Sequence, residues 1–84
     1  MVWRWVWVAV RWDTDEPDGS AWSAAPEPGF HLTVWQGEHG WRWDAFDSAE
    51  PENGLDGVAP DVAAAKAAAE HCYREYRKAR PNRA

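Results

Sequence analysis

The chain has 84 residues, with 9 basic and 14 acidic side chains and a formal net charge of −5 at pH 7. This length suits one small domain whose core is only just sufficient, so we expect a single domain over residues 1–84. The charge is uneven, because residues 13–61 hold twelve acids and one base, whereas residues 62–84 hold six bases and two acids. The acidic middle argues against DNA or RNA as the main ligand, since phosphate contacts use Lys and Arg.

The N-terminal run WRWVWVAVRW, residues 3–12, contains four of the eight tryptophans. It is too short to span a bilayer, and Arg4 and Arg11 interrupt it. It also lacks the layout of a signal peptide. The single cysteine, Cys72, fits a reducing compartment. The sequence therefore predicts a cytoplasmic protein with no membrane partner.

In chain order, residues 2–12 have the β-branched and aromatic composition of a long strand. Alternation divides this strand into two opposite faces. Trp3, Trp5 and Trp7 form one face, and Val2, Val6, Val8, Val10 and Trp12 form the other. The pattern slightly favours the valine set as the core side without deciding between the two. Residues 13–29, rich in proline, glycine and acids, are predicted to be a loop that Trp22 attaches to the body.

Residues 30–47 contain the clearest signal, two alternating runs around a short glycine-bounded turn, which predict a β-hairpin. Pairing outward from the turn sets Gln36 opposite Trp41, Val34 opposite Trp43 and Leu32 opposite Ala45. The predicted core face is then Phe30, Leu32, Val34, Trp41, Trp43 and Ala45. The opposite face is His31, Thr33, Trp35, Arg42, Asp44 and Phe46.

Residues 48–60 are predicted to be a second acidic loop, and residues 61–79 an alanine-rich helix with basic residues towards its end. Residues at helical spacing form its expected buried stripe: Val62, Ala65, Ala69, Cys72, Tyr73 and Tyr76. The predicted fold is therefore α+β, a three-stranded antiparallel sheet with one C-terminal helix packed on one face (β-β-β-α).

One helix covers only one face of such a sheet. The small helix alanines leave room for Trp41 and Trp43, but strand 2–12 keeps an apolar strip on the outer face beside Trp35 and Phe46. Three explanations remain open: the 13–29 loop folds over this face, two copies associate back to back, or a different partner protein binds there.

The stretch GVAPDVAAAKAAAE, residues 57–70, resembles the last helix of double-stranded RNA-binding domains, and the preceding strand order is also similar. The resemblance covers about 50 residues. That family binds phosphates through a lysine pair at the helix start and has an additional first helix. Here Asp61 and Val62 occupy the helix start, no first helix precedes the sheet, and only Lys66 matches. The resemblance implies a related shape without the RNA-binding charges.

Catalytic and metal-binding patterns are weak. His31, His39 and His71 lack metal-ligand spacing, and Cys72 and His71 point about 100° apart on a helix. The run DTDEPDG, residues 13–19, departs from the calcium-loop pattern. We therefore expect no enzyme activity, no metal and no cofactor.

The sequence favours a non-enzymatic protein-binding module, because exposed Trp and Arg dominate interface hot spots. The expected partner-binding residues are Trp3, Trp5, Trp7, Trp35, Arg42, Asp44 and Phe46. Acidic residues expected to steer a basic partner are Asp13, Asp15, Glu16, Asp18, Glu50 and Glu52. The alternatives are a single-stranded nucleic-acid binder that stacks bases on tryptophan, or a self-associating structural domain that forms a homodimer.

In size, acidity and strand–helix build the chain also resembles the small accessory proteins of phages and mobile elements, which include anti-CRISPR inhibitors. This resemblance implies an inhibitor that blocks the nucleic-acid-binding surface of a host defence complex such as CRISPR-Cas. It also implies the host cytoplasm as the place of action, if a phage encodes the chain.

Overall fold

The structure, a computed structural model, describes residues 10–79. It contains one antiparallel sheet with its strands in sequence order, followed by one helix. The strands are β1 (Asp13–Thr14), β2 (Ala21–Glu27), β3 (Phe30–Gly37), β4 (Gly40–Asp47) and β5 (Leu55–Ala59), a short 3₁₀ helix occupies Pro51–Asn53, and α1 spans Val62–Ala79. The fold is α+β, but the predicted three-stranded sheet is wrong, because the sheet has five strands.

The hairpin prediction for residues 30–47 is confirmed in detail. Gln36 pairs with Trp41, Val34 with Trp43 and Leu32 with Ala45, around the two-residue turn at 38–39. The predicted core side chains face α1: Phe30, Leu32, Val34 and Ala45 are buried, and Trp41 and Trp43 are half-buried against them. Strict alternation specified both the register and the buried face.

The prediction of a loop over residues 13–29 is wrong, because most of this segment belongs to β1 and β2. Ala24 pairs with Leu32 and faces α1, and the ladder becomes irregular between Ala24 and Glu27. Pro26 lies at that irregularity, where a missing N–H costs little. The proline and acidic residues of this segment therefore suggested a loop, although residues 21–27 form a strand.

Trp22 lies on the α1 side of the sheet, so it does not hold a loop over the outer face. It packs against the cluster of Val34, Ala59 and Ala65. Its Nε1 donates a hydrogen bond to the Gly19 carbonyl at 3.0 Å. The explanation in which the 13–29 loop covers the outer face through Trp22 is wrong.

The predicted loop over residues 48–60 is also wrong in its second half, where β5 pairs with β4. Gly57 lies in the middle of β5, opposite Trp43. A Cβ built on Gly57 would lie 2.8 Å from Nε1 of Trp43. Gly57 is required by the indole packed above it and not by a turn. The loop prediction took this glycine as a turn signal.

The predicted strand over residues 2–12 is described only from residue 10 onward, and residues 10–12 are not in a strand. Pairing with β2 begins at Asp13, where the partner Ser23 is still in regular register. Val10 and Trp12 pack on the α1 side, which agrees with the valine set for these two positions. Val2, Val6 and Val8 lie outside the described residues.

The helix prediction is confirmed, with α1 beginning one residue later than predicted. The Asp61 carboxylate accepts a hydrogen bond from the Ala64 backbone N–H at 2.8 Å, as an N-cap residue does. The predicted stripe faces the sheet: Ala65, Ala69 and Tyr73 are buried, and Val62, Cys72 and Tyr76 are half-buried. The alanines leave room for the indoles beneath the helix.

Candidate functional site

The sheet face that α1 leaves uncovered is called the outer face below. Its side chains follow from the strand register and alternation. They are Asp13, Ala21, Ser23, His31, Thr33, Trp35, Arg42, Asp44, Phe46, Asp56 and Val58. All four predicted partner-binding residues that the structure describes, Trp35, Arg42, Asp44 and Phe46, lie on this face.

Trp35 and Arg42 are direct cross-strand neighbours near the turn end of the sheet. Ala21 on β2 and Val58 on β5 extend this pair to both sides, forming one row across four strands. Trp35 is half-buried and Arg42 is exposed. Val58 is 60% exposed. This row presents an aromatic, an aliphatic and a guanidinium group side by side, the residue types that anchor protein interfaces.

A second, polar row crosses the outer face beside the first. It consists of Asp13, Ser23, Thr33, Asp44 and Asp56. The Ser23 hydroxyl donates a hydrogen bond to Asp15 at 2.9 Å, which holds a further carboxylate beside this row. The polar row therefore makes the outer face acidic beside the Arg42 cation.

Asp44 lies between Thr33 and Asp56 in the polar row and has an unsatisfied carboxylate oxygen. Its Oδ1 is buried and has no hydrogen-bond partner among the described residues. Desolvation raises the pKa of Asp44 above the usual value, and the nearby charge of Asp56 raises it further, while a hydrogen bond with Thr33 lowers it. A buried acceptor without a donor is unfavourable for the folded state and is common at binding sites.

Phe46 lies further along the outer face, where its ring stacks on His31 with centroids 5.1 Å apart. His31 is exposed and Phe46 is half-buried. This stack lies two residues from Asp44 along β4, so it borders the polar row on the side opposite Trp35 and Arg42.

The predicted steering acids are all exposed and lie at opposite edges of the sheet. Asp13, Asp15, Glu16 and Asp18 are in or just after β1, and Glu50 and Glu52 are at the 3₁₀ helix before β5. Hydrogen bonds from Ser20 lower the pKa of Asp18, so this residue also stabilises the turn before β2.

Four outer-face residues were missed because the sequence predicted β2 and β5 to be loops: Ala21, Ser23, Asp56 and Val58. The alternation Leu55, Gly57, Ala59 against Asp56, Val58 was the available signal. Three predicted partner-binding residues, Trp3, Trp5 and Trp7, lie outside the described residues.

The described tryptophans are distributed unequally between the two faces. Trp12, Trp22, Trp41 and Trp43 pack on the α1 side, and Trp35 alone of the described five is on the outer face. The α1 side therefore packs two tryptophans, Trp12 and Trp22, in addition to the two that the hairpin contributes. Among the described residues, the large apolar side chains with high exposure are Leu55 and Val58, both on β5.

Groups suited to chemistry are scattered. Within residues 10–79 no three His, Cys, Asp or Glu side chains are grouped to hold a metal ion. Cys72 lies on α1 and is half-buried, and desolvation raises the pKa of its thiol, which favours the unreactive protonated form.

No family model matches the chain, and no curated protein or solved structure is significantly similar to it. In the part of the chain that the structure describes, no helix has both the length and the apolar character needed to cross a membrane.

Proposed function

We propose that this protein is a binding module that holds a partner protein with a basic surface on its outer face. The observation that carries the proposal is the row in which half-buried Trp35 and exposed Arg42 lie side by side, bordered by the acidic polar row that contains Asp44. A lysine or arginine of the partner would supply a compensating positive charge to this acidic row. Trp35 and Val58 would then contribute apolar contact area around it.

The polar row supports a protein partner over the two alternatives. A nucleic-acid backbone would be repelled by Asp13, Asp44 and Asp56. In a back-to-back homodimer, the same carboxylates of two copies would be brought together, and such like-charge contacts oppose association. A basic protein surface meets neither obstacle.

A narrower form of the proposal is that the bound surface normally holds nucleic acid, as in a host defence complex such as CRISPR-Cas. The protein would then act as an inhibitor by occluding that surface, without catalysis. The acidic outer face supports this form, since it would compete with phosphates for the same lysines and arginines.

The test compares capture of proteins from a lysate of the native cells by the wild-type chain, the Trp35→Ala/Arg42→Ala double variant and the control Glu38→Ala, which changes the exposed hairpin turn. A partner retained by wild type and control but lost by the double variant is identified by mass spectrometry and its affinity measured. Identical capture by all three proteins, or unfolding of the double variant, would refute the proposal.

Asp44→Asn separates a binding role from a structural one. Asparagine removes the unsatisfied negative charge, so the variant should be at least as stable as wild type at pH 7, yet bind the identified partner more weakly. Displacement of nucleic acid from that partner then tests the inhibitory form. A partner that keeps its full nucleic-acid affinity when saturated with the protein would exclude inhibition.

A further inference from the structure

An apolar groove lies between α1 and the sheet, where β4 ends and β5 begins at Leu55. Its volume is about 550 Å³. Its walls include Trp43 and Leu55 from the sheet and Ala68, Cys72 and Tyr76 from α1. Leu55 is 60% exposed there. The helix packs on β3, β4 and β5, and the groove opens beside it at Leu55.

The backbone of β5 beside the groove is open on one side. The two-residue turn makes Gly37 and Gly40 a hydrogen-bonded pair, and such pairs alternate along antiparallel strands. By this alternation, residues 55, 57 and 59 direct their backbone groups to β4. The N–H and C=O groups of Asp56 and Val58 therefore point away from β4, and among the described residues no strand lies on that side.

The charges around this edge are acidic. Asp56 lies on β5 itself, and Asp47 and Glu50 line the groove near its end. Asp47 accepts a hydrogen bond from the Tyr76 hydroxyl at 2.5 Å, which holds its carboxylate at the groove. An extended segment pairing with β5 would place alternate side chains in the groove and the others beside Asp56.

We propose that the β5 edge is a second binding site, which takes an extended segment of a partner protein as an added strand. The segment alternates apolar and basic residues: its apolar side chains enter the groove, and its basic side chains reach Asp56. The open backbone supplies the main-chain hydrogen bonds, the groove selects for apolar side chains, and Asp56 on the opposite face of the added strand selects for positive charge. This site shares Asp56 and Val58 with the outer face, but its main-chain hydrogen bonds and its groove do not depend on the function proposed for that face.

The probe is an acetylated eight-residue peptide that alternates lysine with leucine, added to the full chain. A peptide alternating glutamate with leucine is the charge control. Amide hydrogen exchange at Asp56 and Val58 should be fast in the free protein and slow with the lysine peptide. Slow exchange at both amides without peptide would overturn the proposal, because the edge would already be occupied.

Val58→Pro removes one outward N–H without touching the ladder to β4, since Val58 does not bond to β4. We expect binding of the lysine peptide to weaken by about tenfold or more, while the control Val58→Thr, which keeps the N–H, binds as wild type. Should Val58→Pro unfold, Ala68→Phe provides the second variant, because it fills the groove from α1. Its control, Ala67→Phe, adds the same ring at an exposed position.

Equal binding of the lysine and glutamate peptides, or unchanged binding by Ala68→Phe, would overturn the proposal. A wild-type dimer that Val58→Pro converts to monomer, measured by sedimentation, would overturn it by assigning the edge to a second copy. The Trp35→Ala/Arg42→Ala variant should still bind the peptide, so failure of the outer-face proposal leaves this one standing.

Discussion

Gly57 lies directly beneath the indole of Trp43, close enough that a Cβ on residue 57 would be 2.8 Å from Nε1. Gly57→Ala should therefore displace Trp43 and lower the free energy of unfolding by about 1–3 kcal/mol, as overpacking does. Urea unfolding measures the change. Gly37→Ala is the control, because its Cβ would lie 3.4 Å from the nearest atoms. Equal losses for the two variants would contradict the packing role of Gly57.

Lys66 connects α1 to two tryptophans. Its Nζ lies 3.6 Å from the ring centroid of Trp22 and 5.7 Å from that of Trp12. Lys66→Met keeps most of the side-chain length but removes the charge, so we expect a loss of about 0.5–2 kcal/mol in urea unfolding. Lys78→Met, at an exposed ion pair with Glu75, should change stability little. A Lys66→Met variant as stable as wild type would show that the cation–π contact contributes nothing.

The buried alanines of α1 are predicted to be small because tryptophans lie beneath them. Ala65 is fully buried against the cluster that contains Trp12, Trp22 and Trp41. Ala65→Leu should cost about 1–3 kcal/mol, since the added carbons displace an indole. Ala67→Leu, at an exposed position of the same helix, should stay within about 0.5 kcal/mol of wild type. A stable Ala65→Leu would mean that the space under α1 is not filled.

Asp44 should make stability depend on pH in a defined direction. Because burial raises its pKa in the folded chain, the folded state holds the proton to higher pH than the unfolded state. The stability contributed by the protonated form is present below the ordinary value of 3.8 and is lost as pH rises through the raised pKa. Asp44→Asn should therefore melt at a higher temperature than wild type at pH 7, with the difference vanishing below pH 3.8.

Asp18 is the matched control for that pH series, because hydrogen bonds from Ser20 lower its pKa. Its charged form favours folding above the ordinary pKa, and this contribution is lost as pH falls through the lowered value. Asp18→Asn should thus melt below wild type at pH 7, the opposite sign to Asp44→Asn. Melting curves with the same sign for both variants would refute the assignment at Asp44.

The hairpin at residues 30–47 and the helix at residues 61–79 could both be predicted from local sequence patterns. The hairpin register follows from two alternating runs joined by a two-residue turn, and a one-residue slip would bury the polar side of each strand. The helix follows from alanine content, a capping Asp61 and a stripe at helical spacing. These signals depend on residues that are near one another in the chain, so they predict the hairpin and the helix independently of the rest of the fold.

The sequence by itself determined the hairpin, its core face, the helix and the placing of Trp35, Arg42, Asp44 and Phe46 on one face. Only the tertiary structure decided that residues 21–27 and 55–59 are strands, because their extended form comes from pairing with β3 and β4. Pro26 and Gly57 have loop signatures in isolation, yet one lies at a ladder irregularity and the other under an indole. Asp56 and Val58 lie on one of these extra strands, and only its pairing with β4 creates the open edge.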